Sequence, residues 1–138
     1  MTPGIFVTGT DTEVGKTYVS ALIAQQLRSQ GVKVGVYKPA ASGCIETADG
    51  SLFSEDADAL WQAAGKPATV NHVCPQMFRA PLAPHLSARA EGLELDRNKL
   101  FAGIEYWQQN SDFIIVEGAG GLMSPISDDD FVADLAYE

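Results

Sequence analysis

Gly9-Thr10-Asp11-Thr12-Glu13-Val14-Gly15-Lys16-Thr17 is the stretch whose reading decides the fold. On its N-terminal side Ile5-Phe6-Val7 is a short apolar run closed by Thr8-Gly9, the pattern of a strand buried on both faces of a parallel sheet. On its C-terminal side Val19, Leu22, Ile23 and Leu27 recur at helical spacing, which predicts one apolar helical face over 16–30 with Gly31 as its stop. A turn between a strand and a helix aims successive backbone N–H groups and the positive end of the helix dipole at one point, where phosphate oxygens accept hydrogen bonds. In that setting Gly15 leaves the backbone approachable, Lys16 brings a point charge to the outer phosphates, and the Thr17 hydroxyl can ligate Mg²⁺. The spacing departs from the usual motif, because five residues separate Gly9 from Gly15 and Thr10 stands where the first glycine is expected. A helix that merely starts at a Gly-Lys-Thr turn is the competing reading, and the flanking elements weigh against it.

Outward from this loop, 33–38 (KVGVYK) returns to strand character, so 5–38 reads as a strand-helix-strand unit with a right-handed crossover. The small and polar residues of 39–53 predict a loop. Ser54 caps a helix reaching Gln62 or Ala64, stopped by Gly65 and Pro67, with Glu55 and Asp56 well placed in its first turn. Pro75, Pro81 and Pro84 limit 68–90 to extended segments and a short helix near 85–90. Asp96 caps a helix to Asn110 with Leu100, Phe101, Ile104 and Trp107 on one face. Phe113-Ile114-Ile115-Val116 predicts a third buried strand, followed by a turn at Glu117-Gly118-Ala119-Gly120-Gly121, and 131–137 reads as helical. The expected fold class is α/β, a phosphate-loop NTPase-like parallel sheet with helices on both faces, in a single nucleotide-binding domain over 1–138.

Ligands of open parallel sheets bind at the carboxyl ends of the strands. The second strand ends at Lys38-Pro39-Ala40-Ala41-Ser42-Gly43, where Lys38 is as readily a solvated lysine as a site cation. The third ends at Glu117, a carboxylate beside the phosphate loop where a phosphate-bound Mg²⁺ needs an acidic partner; a capping or surface Glu is the alternative. The helix dipole alone is enough to explain Asp56. Trp61 and Trp107 read as core residues, His85 as a helix N-terminal histidine, and Asp128-Asp129-Asp130 as a solvated loop rather than a metal site.

Composition narrows the functions. The 138 residues are 46% hydrophobic and 20% charged, as in ordinary globular proteins. Nine Lys and Arg against eighteen Asp and Glu leave a net charge of −9, which disfavours nucleic acid and anionic membrane surfaces as partners. A triphosphate is still compatible, since the net charge is screened beyond about 8 Å while each charge-assisted hydrogen bond in a cradle contributes roughly 1.5–3 kcal/mol. Cys44 and Cys74 make no disulfide framework and no metal-ligand spacing, and with no signal peptide or membrane anchor legible, a cytoplasmic protein is expected.

Phe6 through Thr17, Tyr37-Lys38-Pro39 with Ser42-Gly43, and Val116-Glu117-Gly118-Ala119-Gly120-Gly121 together resemble the dethiobiotin synthetase family, as do 55–60 and 81–85. The resemblance implies an ATP-dependent ligase. It would carbamate 7,8-diaminopelargonate with CO2, phosphorylate the carbamate from ATP, and close the ring to dethiobiotin. It further implies that Glu13, Val14, Gly15, Lys16, Thr17 and Tyr18 wrap the nucleotide phosphates and that Asp56, Glu117, Gly118, Ala119 and Gly120 border the nucleotide. By the same resemblance Thr17, Asp56 and Glu117 hold Mg²⁺, Lys38 and Lys16 are the catalytic cations, and Ser42 and Thr12 contact the diamine. Members of the family are homodimers and much longer, so the chain is expected to be truncated at its C-terminal end and its activity alone is doubtful. Three other readings compete: a partition-type ATPase switch, a related ATP-dependent amide ligase, and a binding-only fragment without turnover. Asp11 stands where the partition ATPases carry a signature lysine, which argues against the first of these.

Overall fold

The computed structural model describes residues 1–10 and 15–137. Along them run β1 (Gly4–Gly9), α1 (Lys16–Ser29), β2 (Val34–Tyr37), β3 (Ala40–Ala41), β4 (Ile45–Glu46), β5 (Leu52–Phe53), α2 (Glu55–Ala63), α3 (Val70–Val73), β6 (Gln76–Met77), α4 (Pro84–Ala90), α5 (Arg97–Asn110), β7 (Phe113–Gly121) and α6 (Val132–Tyr137). Among these residues the main sheet has the order β1-β7-β2, parallel throughout, with Val7 opposite Glu117 and Tyr37 opposite Val116. The strand-helix-strand unit read from the sequence therefore has β7 inserted between its two strands.

Alternation assigns the faces. Gly35 and Tyr37 look toward α5: a Cβ on Gly35 would stand 2.9 Å from Trp107 Cε3, and the Tyr37 hydroxyl donates to Lys99 O at 2.6 Å. Their β7 partners Ile114 and Val116 share that face, as does Gly118, where a Cβ would meet Val132 of α6. Ile115 and Glu117 take the opposite face, on which Thr17 of α1 reaches Glu117. Helices thus cover both sides of an α/β sheet, as the sequence predicts. The larger core joins β2, β7, α1, α2 and Trp107, while a smaller one gathers Ala40, Leu100, Ile126, Val132 and Leu135.

Several expectations need correction. β2 is buried at every position, but β1 has no fully buried residue and Ile5 remains 36% exposed, so that strand is not covered on both faces here; among the described residues it is also an edge strand, paired only with β7. In α1 the fully buried positions are Ser20 and Ala24, whereas Val19 and Leu22 are exposed; small side chains admit α1 closely to α2 and the sheet. The expected loop 39–53 contains β3, which pairs in parallel with β6, and an antiparallel hairpin of β4 and β5. The turn expected at 117–121 is strand, because β7 continues to pair with β1 as far as Gly9 opposite Gly121. Of the acidic run, Asp130 is buried rather than solvated. It accepts from Arg97 Nε and Nη2 at 2.7 and 2.8 Å and from Ser127 Oγ at 2.7 Å, and the Arg97 hydrogen bonds hold its pKa below the usual carboxylate value against the opposing effect of burial.

The caps fall where the sequence puts them. Ser54 Oγ accepts from Ala57 N at 3.2 Å at the start of α2, and Asp96 Oδ1 accepts from Lys99 N at 3.2 Å at the start of α5. Trp107 is buried in the core, and Trp61 donates its indole N–H to Pro67 O.

Candidate active site at the carboxyl rim of the sheet

Glu117 sits on β7 at the point where α1, β2 and β7 converge. Its side chain is 1% exposed, and its Oε1 accepts from Thr17 Oγ1 at 2.7 Å and from Lys38 Nζ at 3.1 Å. Lys38, one residue past the end of β2, is 7% exposed at its side chain, so the solvated-lysine reading does not hold. A charged pair removed from water in this way persists only when its geometry is good and its remaining valences are met. Asp56, in the capped first turn of α2, brings Oδ2 to 3.9 Å from Lys38 Nζ while staying 55% exposed. One ammonium thus stands between two carboxylates.

Gly15 caps α1 at its N-terminus in the left-handed region, φ 97° and ψ 16°. Among the described residues a Cβ there would meet nothing within 4 Å, and the left-handed backbone conformation by itself demands glycine. Val19 N donates to Gly15 O at 3.0 Å, which starts the helix with its first amide groups directed to the rim.

Gly15, Lys16, Thr17 and Tyr18 line one cavity of about 790 Å³ together with Lys38 and Ser42. Asp56, Glu117, Ala119 and Gly120 line it too. Gly118 does not: strand alternation turns it to Phe6 and Val132 on the other face, where it serves packing. Thr12, Glu13 and Val14 lie outside the described residues.

A divalent cation fits this donor set. Glu117 Oε2 is buried and, among the described residues, has no hydrogen-bond partner, a state that costs free energy unless a cation or donor meets it. With the Thr17 hydroxyl and the Asp56 carboxylate it offers the hard oxygen ligands that Mg²⁺ prefers. Among the described residues no group of three or more His, Cys, Asp or Glu could hold a metal, so a site here relies on the hydroxyl and on substrate oxygens as well.

The sequence reading missed the cavity's other wall: Ile45 and Phe53 from the hairpin, and 81–84 leading into α4. The Asp49-Gly50 pair between two strand-like runs was the available signal, since Asp-Gly is a strong hairpin turn. Gly50 adopts φ 83° there, and Thr47 N donates to Ser51 O at 2.8 Å. Cys44 also borders the cavity; burial pushes its thiol up, opposed by the Phe78 backbone and by Lys38. His85, on α4, is not a lining residue, and its Nδ1 is buried without a partner among the described residues.

A family model described as an AAA domain matches residues 3–138. The chain belongs to this AAA domain family. The match takes in Lys16, Thr17, Lys38, Asp56 and Glu117 alike. Among curated proteins the chain is 54% identical over 134 residues to the ATP-dependent dethiobiotin synthetase BioD of Rhodopirellula baltica, covering 96% of this chain and 52% of that protein. It is 42% identical over 135 residues to that of Pseudomonas paraeruginosa, covering 97% and 59%. It is 38% identical over 127 residues to that of Clostridium botulinum, covering 92% and 56%. The chain spans little more than half the length of these relatives.

Proposed function

We infer that the protein to which this AAA domain belongs is an ATP-dependent dethiobiotin synthetase, in which the domain over 1–138 binds the nucleotide and carries the reacting groups. The observation that carries this reading is the buried Lys38–Glu117 pair in the same cavity as Lys16, Thr17 and Ser42. The relatives' shared activity supports it.

In this reading one amine of 7,8-diaminopelargonate adds to CO2, losing a proton, and a carbamate oxygen attacks the γ-phosphorus of ATP as the bond to ADP breaks. The neighbouring amine then attacks the carbonyl carbon and expels phosphate, closing the cyclic urea. Phosphoryl transfer asks mainly for positioning and for neutralisation of charge. Lys38 serves both, because Glu117 and Asp56 hold its ammonium at the rim where carbamate and γ-phosphate meet. Lys16 and the amides after Gly15 bind the outer phosphates, with Glu13, Val14 and Tyr18 completing the wrap. Ala119 and Gly120 border the nucleotide, and Ser42 and Thr12 orient the diamine. Thr17, Asp56 and Glu117 would hold Mg²⁺, which when bound supplies positive charge to the phosphates.

We place the domain in a homodimer acting on these small molecules, as the resemblance to the synthetase family implies, and two buried free thiols, Cys44 and Cys74, suit a reducing cytoplasm. The test is ADP release by the complete gene product with MgATP and bicarbonate. Addition of 7,8-diaminopelargonate is expected to stimulate release and yield the cyclic urea; ADP release indifferent to the diamine would refute the reading.

A further inference from the structure

The hairpin of β4 and β5 has two chemically different faces. Ile45 lies opposite Phe53, and Glu46 lies opposite Leu52. Period-two alternation puts each pair on its own face. The Glu46/Leu52 face is held to the body of the molecule: Arg79 Nε donates to Glu46 at 2.9 Å, and Leu52 packs against the larger core. Arg79 is itself held by Glu91, which accepts from its backbone N at 2.7 Å. Among the described residues the other face has no such support. Ile45 is 52% and Phe53 36% exposed, yet both line the cavity, and exposed Leu82 lines it with them.

A hairpin fastened by one face and presenting a bare isoleucine–phenylalanine pair to a catalytic cavity is built to cover something apolar. The bare pair belongs to the chain segment that begins at Lys38 and Ser42, and the backbone of that segment is pinned by Gly43 N to Ala80 O and Cys44 N to Phe78 O. It therefore continues the end of the cavity that the proposed function gives to the diamine, whereas that function puts the phosphates at Gly15–Thr17, at the start of α1. We propose that Ile45 and Phe53, with Leu82 lining the same cavity, form a specificity wall for the hydrocarbon chain of the diamine, selecting a long-chain vicinal diamine over one without a chain. This rests on the function inferred above and names the residues that read the part of the substrate remote from the chemistry.

The test compares two diamines in the complete gene product: 7,8-diaminopelargonate, and 2,3-diaminobutane, which keeps the vicinal amines and lacks the chain. Diamine-stimulated ADP release gives KM and kcat for the wild type, Ile45→Ser, Phe53→Ser and the double variant. In the double variant the KM for the long diamine is expected to rise about tenfold with kcat held within about twofold, while the KM for 2,3-diaminobutane moves by less than about twofold. Tenfold corresponds to about 1.4 kcal/mol, the order expected for uncovering two methylene groups. A ratio of the two KM values unchanged by the substitutions overturns the wall while leaving the synthetase reading intact. Loss of nucleotide affinity in its place would assign Phe53 to the base of ATP, and a shift in oligomeric state with the KM ratio intact would assign the pair to subunit contact. Either outcome overturns the proposal. Failure of both diamines to stimulate the wild type removes the wall and the synthetase reading together.

Discussion

Lys38 is the residue on which the site turns. Its ammonium meets Oε1 of a carboxylate sealed from water, so charge and fold are coupled there. Lys38→Met in the complete gene product is expected to lower cyclic urea formation by about 10²–10³-fold while MgATP still binds, the scale of losing one electrostatic stabiliser of a transition state. The same substitution leaves Glu117 buried and uncompensated, with a cost to stability of about 3–5 kcal/mol in urea unfolding. Adding Glu117→Gln should restore much of the stability and none of the activity. A double variant no more stable than Lys38→Met would show that the ion pair is not what Glu117 requires.

At the scale of elements, the start of α2 links fold to site, because Ser54 caps the turn that carries Asp56. Ser54→Ala is expected to cost about 1 kcal/mol in urea unfolding, and a change below about 0.3 kcal/mol would mean the cap is not felt. Caps are why the long helices were legible in the sequence: Ser54, Asp96 and Gly31 are single residues with a definite task, and each marks a boundary found in the structure. The two-residue strands β3 to β5 were not legible, since two residues carry no period, and β6 falls in a stretch expected only as extended segments. The far end of β7 was hidden for another reason: Glu117-Gly118-Ala119-Gly120-Gly121 has turn composition, and only pairing with β1 keeps it extended. Pattern alone placed the packed face of α1 only in part: Ile23 and Leu27 do pack on the larger core, but Val19 and Leu22 are exposed and the fully buried positions are the small Ser20 and Ala24. Within the candidate site, Lys16 and Thr17 could be read because they open a helix and Glu117 because it ends an apolar run, whereas the residues alone left Lys38 as readily a solvated lysine. Ile45 and Phe53 reach the cavity only through a hairpin whose Asp-Gly turn lay inside an expected loop.

For the molecule as a whole, buried acids set the alkaline limit. Burial pushes the Cys74 thiol up to about 12 from an ordinary 9.0, and Cys44 and Tyr37 shift in the same direction, mainly by burial. Above pH 9 the unfolded chain releases protons that the folded one keeps, so it binds fewer, and stability falls as pH rises toward 12. The thiol of Cys74 contributes up to about 1.4 kcal/mol per pH unit to that slope and nothing well below pH 9. Urea unfolding in reductant at about pH 8 and pH 10.5 measures it. Cys74→Ala should flatten the decline by roughly one proton, and an identical decline in both proteins would assign it to the other groups.

The position of β7 between β1 and β2 also dictates a timetable. The two strands made first have no hydrogen bonds to offer each other, so on the ribosome the 75 residues from 38 to 112 must emerge after β2 before either acquires its neighbour. At roughly 5–20 residues per second that is an interval of several seconds or more with both apolar segments uncovered, a natural opportunity for a chaperone to engage the nascent chain.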